Sequence, residues 1–235
     1  MKKLVFVAVL ACATSAFAET YTWNGSTSTA ASWTDSANWL VDGQPTDSYP
    51  ASSADTAAFA DGAVAVFDLA LDSAAGGGVK MTIGAGATVT VKSTASAAPT
   101  FTCAPTVAAN GSLTFDHVKF GGANTYLAAT SDSSIYRFIN GAEYAPGWIS
   151  SATGFGGGVW YFEDSTFGFN DQLPLGKDNK YRHDVVLVNT VAGGKNNSKH
   201  MAFGKAGWLY VTNSVLTLNT NMGDIDISTT MSGQK

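Results

Sequence analysis

Tyr136-Arg137-Phe138-Ile139-Asn140 is answered by Trp160-Tyr161-Phe162-Glu163-Asp164, then by Val185-Val186-Leu187-Val188-Asn189 and Leu209-Tyr210-Val211-Thr212-Asn213. Each run reads apolar-x-apolar-x-polar. Toward the N-terminus the same pattern continues as Leu113/Phe115 before His117, Val89/Val91 before Ser93 and Val64/Val66 before Asp68. The steps between these markers are 25, 24, 23, 24, 25 and 24 residues. A period of this length marks a solenoid, whose single repeat cannot bury its own apolar face and must stack on its neighbours.

Alternation within each run has the period of a β-strand. It sends the two paired residues inward and the one between them outward. The polar marker ends the strand. A second apolar position follows at Leu71, Phe120, Phe167 and Leu216, and small-residue runs such as Gly154-Phe155-Gly156-Gly157-Gly158 carry the chain around. Stacked equivalents lie about 4.8 Å apart in parallel, so seven coils give a core roughly 34 Å long. Parallel crossovers favour the right-handed sense. The predicted fold is all-β: a right-handed parallel β-helix of about seven coils of about 24 residues. A β-sandwich is the competing fold. Asn110-Gly111 and Asn140-Gly141 would be its hairpin turns, but it does not account for the constant beat.

The ends differ in texture. Lys2-Lys3, the apolar run Leu4–Ala13 and Ala16-Phe17-Ala18 compose an export signal over residues 1–18. An alternative start is lipidation at Cys12, because Val9-Leu10-Ala11-Cys12 loosely follows a lipobox. No later run is long enough for a membrane span. Residues 19–62 hold Trp23, Trp33 and Trp39, half of the tryptophans, together with Pro45 and Pro50. They read as a cap whose bulky apolar residues plug the open end of a solenoid running over 63–235. The chain stops at Lys235, just short of where the next marker would fall. It is either a fragment or a stack whose bare end invites end-to-end self-association.

A net charge of −5 with only 13% charged residues and no basic run argues against nucleic acid as a partner. Plentiful aliphatic and aromatic residues exclude a disordered chain. Cleavage after Ala18 leaves Cys103 alone, so no internal disulfide forms, and a lone cysteine reads as a buried apolar residue.

The periodic region resembles the pectin-lyase-like right-handed β-helices, including autotransporter passenger domains. The segment Trp23-x-Gly25, Trp33, Asn38-Trp39, Gly43, Pro45, Asp55 and Phe59 resembles the entry module in front of such passengers. The resemblance implies adhesins, polysaccharide lyases or glycoside hydrolases. The chain departs from full autotransporters in that no C-terminal β-barrel follows in the given sequence.

Against that implication stands the spacing of polar groups. Asn140, Asp164, Asn189 and Asn213 fall in one column and read as a structural ladder that satisfies buried polar groups along the bend. Asp68, Asp116 and Asp164 recur only every second coil, about 9.6 Å apart, too far to share a calcium ion held at about 2.3–2.6 Å. A glycosidase pair needs carboxyls about 5 to 9.5 Å apart in a cleft. Glu163, Asp164, Asp171, Asp178 and Asp184 show no distinguishing spacing. The histidines, His117, His183 and His200, fall at different phases, so neither a metal site nor a cofactor is implied.

The outward column runs Ala65, Thr90, Thr114, Arg137, Tyr161, Val186, Tyr210. Arg137, Tyr161 and Tyr210 form a candidate stripe for an extracellular polysaccharide or a cell-surface partner, unless the loop Asn170–Asp184 covers it. The expected protein is exported, secreted or on the cell surface (the periplasm being another destination), and structural or adhesive. The alternatives are a carbohydrate-active β-helix enzyme and a non-catalytic glycan-binding module.

Overall fold

The computed structural model describes residues 18–25, 29–67, 78–122, 127–146, 157–169, 173–175, 181–194, 201–203, 207–217 and 225–227 of the 235-residue chain. It is all-β, 53% strand and 2% helix, with parallel sheets stacked as a solenoid of about five turns. Each coil visits three faces in turn. The first face is an eight-stranded sheet that includes Thr88–Lys92, Ser112–Asp116, Ile135–Ile139, Gly158–Glu163, His183–Val188 and Leu209–Thr212. The second face follows each marker and is six-stranded, from Thr100–Phe101 to Val215–Thr217. The third face is split. A seven-stranded sheet covers the N-terminal half, and Leu173–Leu175, Met201–Phe203 and Ile225–Ile227 form a separate sheet in the C-terminal half.

The turn count differs slightly from the seven beats read in the sequence, although all seven beats supply a strand to the first face. Only the coils that begin at Thr88, Ser112, Gly158, His183 and Leu209 carry a described strand on all three faces. In the coils that begin at Val64 and Ile135, residues 68–77 and 147–156 fall outside the described part. Every pairing between coils is parallel and in register, for example Tyr136↔Trp160 and Phe138↔Phe162. This is the arrangement a hairpin sandwich cannot produce.

Register makes columns, and the columns are the core. Val89, Val91, Leu113, Phe115, Tyr136, Phe138, Trp160, Phe162, Val185 and Leu187 are all fully buried. Phe115 stacks on Phe138 at 4.9 Å and Phe138 on Phe162 at 4.8 Å, which is the interstrand spacing itself. The second face adds its own column, with Phe120 and Tyr144 5.5 Å apart and 3° from parallel. Each such ring removed from water contributes roughly 1.5–3 kcal/mol. Aromatic stacking adds about 0.5–1.5 kcal/mol per pair beyond that.

Two pairs depart from the expected alternation. Val64 pairs with Thr90 and Ala65 with Val91, a step of 26 residues. Consequently Ala63, Ala65 and Phe67 are buried, while Val64 and Val66 are half-exposed. Ala65 therefore faces the core and leaves the outward column. A slip of one residue exchanges the two faces of a strand. Phe67 decides the phase here: it packs 4.6 Å from Phe101 and 6.2 Å from Trp33, burying more apolar area than a valine would. At the other end, Leu209 is only partly buried and Val211 is 46% exposed.

The tryptophan-rich segment is continuous with the solenoid. Thr20–Trp23 pairs antiparallel with Trp39–Val41 and parallel with Thr56–Phe59, which extends the third face. Ala31–Ser32 lies beside Val64–Val66 on the first face. Trp23, Trp33 and Trp39 are buried, with Trp39 4.9 Å from each of the other two. Trp33 Nε1 donates to the Pro50 carbonyl at 3.0 Å, and Trp39 Nε1 donates to the Trp33 carbonyl at 2.7 Å. These bonds satisfy indole donors that burial would otherwise leave unpaired.

Candidate functional site

The turn behind the first face is built alike in successive coils. His117, Asn140, Asp164, Asn189 and Asn213 all have positive φ, between 46° and 55°. Asparagine and aspartate tolerate this left-handed conformation better than most residues, which gives the marker column its composition. Asn140 Nδ2 donates to Asp116 Oδ1 at 2.9 Å, Asn189 Nδ2 to Asp164 Oδ1 at 3.1 Å, and Asn213 Nδ2 to Asn189 Oδ1 at 2.7 Å. These side chains are exposed and bond from coil to coil along the corner. The left-handed bend turns them to the outside of the corner. At His117, Nδ1 lies 3.1 Å from the Asn140 carbonyl and Nε2 3.1 Å from the Ala95 carbonyl.

Beside this corner lies the outward surface of the first face. Pairing sets its rows as Ser112-Thr114-Asp116, Ile135-Arg137-Ile139, Val159-Tyr161-Glu163 and Asp184-Val186-Val188, with Tyr210 and Thr212 continuing the last two columns. The Arg137 guanidinium sits over the Tyr161 ring, 4.6 Å from its centroid. The Tyr161 hydroxyl donates to Glu163 Oε2 at 3.1 Å. Burial of the phenol, together with that bond to Glu163, raises the Tyr161 pKa. Tyr161 is thus covered on one face and tied at its hydroxyl. Of the three residues read as a stripe, Arg137 and Tyr161 are in contact, and Tyr210 stands two coils further along.

Tyr210 belongs to a second cluster, which sequence reading missed. Trp208 lies two residues before it on the same side of the chain. Their rings are 6.2 Å apart and 29° from parallel, and they are 50% and 49% exposed. Arg182 and Asp184 form a bidentate pair behind them, Nε to Oδ1 at 2.9 Å and Nη2 to Oδ2 at 2.7 Å. Asp184 Oδ1 also accepts the Trp208 backbone N–H at 3.0 Å, and the Arg182 guanidinium lies 6.0 Å from the Trp208 ring. Asp132 Oδ1 accepts the Arg182 backbone N–H at 2.7 Å, fixing the start of the strand. The missed signal was an aromatic at the residue before an apolar pair, in phase with the outward column. Most of the loop Asn170–Asp184 lies outside the described residues, as do Asp68, Leu71, Asp171, Asp178 and His200.

Other reactive groups are turned inward. Cys103 is fully buried, and burial pushes its thiol pKa well up, which leaves it a poor nucleophile. His183 is buried 4.4 Å from the Trp160 ring, and neither ring nitrogen has a hydrogen-bond partner. Burial lowers its pKa to about 3. Among the described residues no group of three His, Cys, Asp or Glu side chains is placed to hold a metal ion. No helix among them is long and apolar enough to cross a membrane.

The fold and this face define a class, the parallel β-solenoids. No protein-family model, no curated protein and no solved structure matches the chain.

Proposed function

We propose that this chain is an exported β-solenoid, secreted or held at the cell surface, with a structural or adhesive role carried by extended surface, of the kind seen in pectin-lyase-like proteins and autotransporter passengers. The observation that supports this reading is the outward first face: rows of side chains in register over successive coils, ending in two half-exposed aromatic rings. A stack of parallel coils supplies a long, stiff surface whose pattern is set by one residue position per coil. The carboxylates on and beside this face are engaged: Glu163 by Tyr161, Asp184 by Arg182, Asp116 by Asn140 and Asp164 by Asn189. That pattern suits recognition better than proton transfer, which calls for a carboxyl free to exchange protons with a substrate. The N-terminal signal-like residues and the low charge favour an extracytoplasmic location.

The test is expression in a bacterial host, with intact mass and protease accessibility measured on whole cells. The expected outcome is a chain beginning at Glu19 that external protease reaches. Retention of an uncleaved chain inside the cell would remove this reading, and a diacyl adduct on Cys12 would change the mode of anchoring.

A further inference from the structure

We infer that Trp208 and Tyr210, with Arg182 and Asp184 behind them, form a binding platform for a neutral polysaccharide. This rests on the reading of the chain as an extracytoplasmic surface protein and adds the chemistry of its partner.

Two half-exposed, near-parallel aromatic rings are a costly surface to leave in water, and such a patch marks a contact site. The choice of partner follows from what surrounds them. Arg182 and Asp184 are held in a bidentate pair whose side chains are 43% and 15% exposed. A dry apolar partner seated on the rings would strip water from this ion pair without replacing its hydrogen bonds, which is unfavourable. A sugar ring has both kinds of surface. Its C–H face packs on an aromatic ring, and its equatorial hydroxyls reach the remaining guanidinium donors and carboxylate lone pairs. Tyr and Trp suit such a boundary because each joins an apolar body to a polar tip.

Charge decides between kinds of polysaccharide. Among the described residues along the face from Arg137 to Tyr210 the cations are Arg137 and Arg182 and the anions Glu163 and Asp184, two against two. Arg182 is held in its pair with Asp184, and Arg137 lies over the Tyr161 ring. Among the described residues this face carries no net positive charge to draw a polyuronate, which would also approach a chain whose net charge is −5. A neutral chain meets no such repulsion. Running along the solenoid axis, it would pass from Tyr210 toward Tyr161 over Val186, with rows about 4.8 Å apart.

The experiment is affinity electrophoresis of the purified exported chain in gels holding galactomannan, xyloglucan, dextran or polygalacturonate, with sedimentation velocity run alongside. Wild type, Trp208→Ala, Tyr210→Ala and, as a control on the same face, Lys92→Ala are compared. Circular dichroism melting establishes that each is folded. The expected result is retardation by at least one neutral polysaccharide and not by polygalacturonate. Each aromatic substitution should weaken it by about tenfold, a difference of roughly 1.4 kcal/mol, while Lys92→Ala is unchanged. Preference for polygalacturonate, equal retardation of all four proteins, or no retardation in any gel would each overturn the inference. Concentration-dependent self-association abolished by Trp208→Ala, without glycan binding, would assign the platform to a second copy of the chain. None of these outcomes bears on export, which the whole-cell protease test decides separately.

Discussion

His183 should make this solenoid acid-sensitive, and replacing it should remove that sensitivity. The imidazole is 1% exposed, packed against Trp160, with no partner for either nitrogen. Desolvation therefore disfavours the charged form, and the pKa falls to about 3 in the folded chain. In the unfolded chain it is about 6.5. The unfolded state thus binds more protons between these values, so stability rises with pH across the window. The contribution is full above about pH 6.5 and is lost progressively as pH falls toward 3. At 1.36 kcal/mol per pKa unit the whole span is worth about 5 kcal/mol. Between pH 7.0 and pH 4.5 the loss is about 2.5 kcal/mol.

His183→Leu keeps the volume and abolishes the titration. Urea unfolding of both proteins at pH 7.0, 6.0, 5.0 and 4.5 supplies the comparison. Carboxylates titrate equally in the two chains and cancel in the difference. The stability of wild type relative to the variant should fall by about 2.5 kcal/mol on going from pH 7.0 to pH 4.5. Parallel pH profiles, within about 0.5 kcal/mol, would show that the folded state reaches the proton at no cost, and the reasoning from burial would fail.

Asn189→Ala removes two rungs of the turn column and the polar side chain that lets asparagine tolerate left-handed backbone, so chemical denaturation should show a loss of about 2 kcal/mol. Asn189→Gly keeps the backbone freedom, loses the same rungs and should recover roughly half of that. Gly158→Ala should be among the most damaging single substitutions, because φ is +76° and a β-carbon would meet the Ser134 carbonyl oxygen at 2.2 Å; a melting temperature within a few degrees of wild type would contradict the coil spacing. Phe138→Ala empties a site stacked on Phe115 and Phe162. It should cost about 3–5 kcal/mol, read in the same unfolding assay.

What the chain discloses about itself follows from how often each feature repeats. The inward columns from Val89 to Leu187 were legible because period 2 within a strand and a near-constant beat between strands reinforce each other. The columns emerged buried and in register. The first coil was misread because Val64 and Val66 imitate the pattern one residue out of phase. Only the contacts of Phe67 with Trp33 and Phe101 settle which set turns inward, and those contacts join residues far apart in sequence. The marker column was legible as a column but not as a conformation. Asparagine, aspartate and histidine all take positive φ there, and it is the bend that carries their side chains to the outside of the corner. Trp208 was invisible for a different reason. Its column reads Ser112, Ile135, Val159, Asp184, so nothing repeats, and a residue that matters by being unlike its neighbours leaves no period to detect. In a solenoid the repeated positions report the scaffold. Recognition is best sought where an outward column breaks its own rule, and this column breaks it beside the only bidentate ion pair among the described residues.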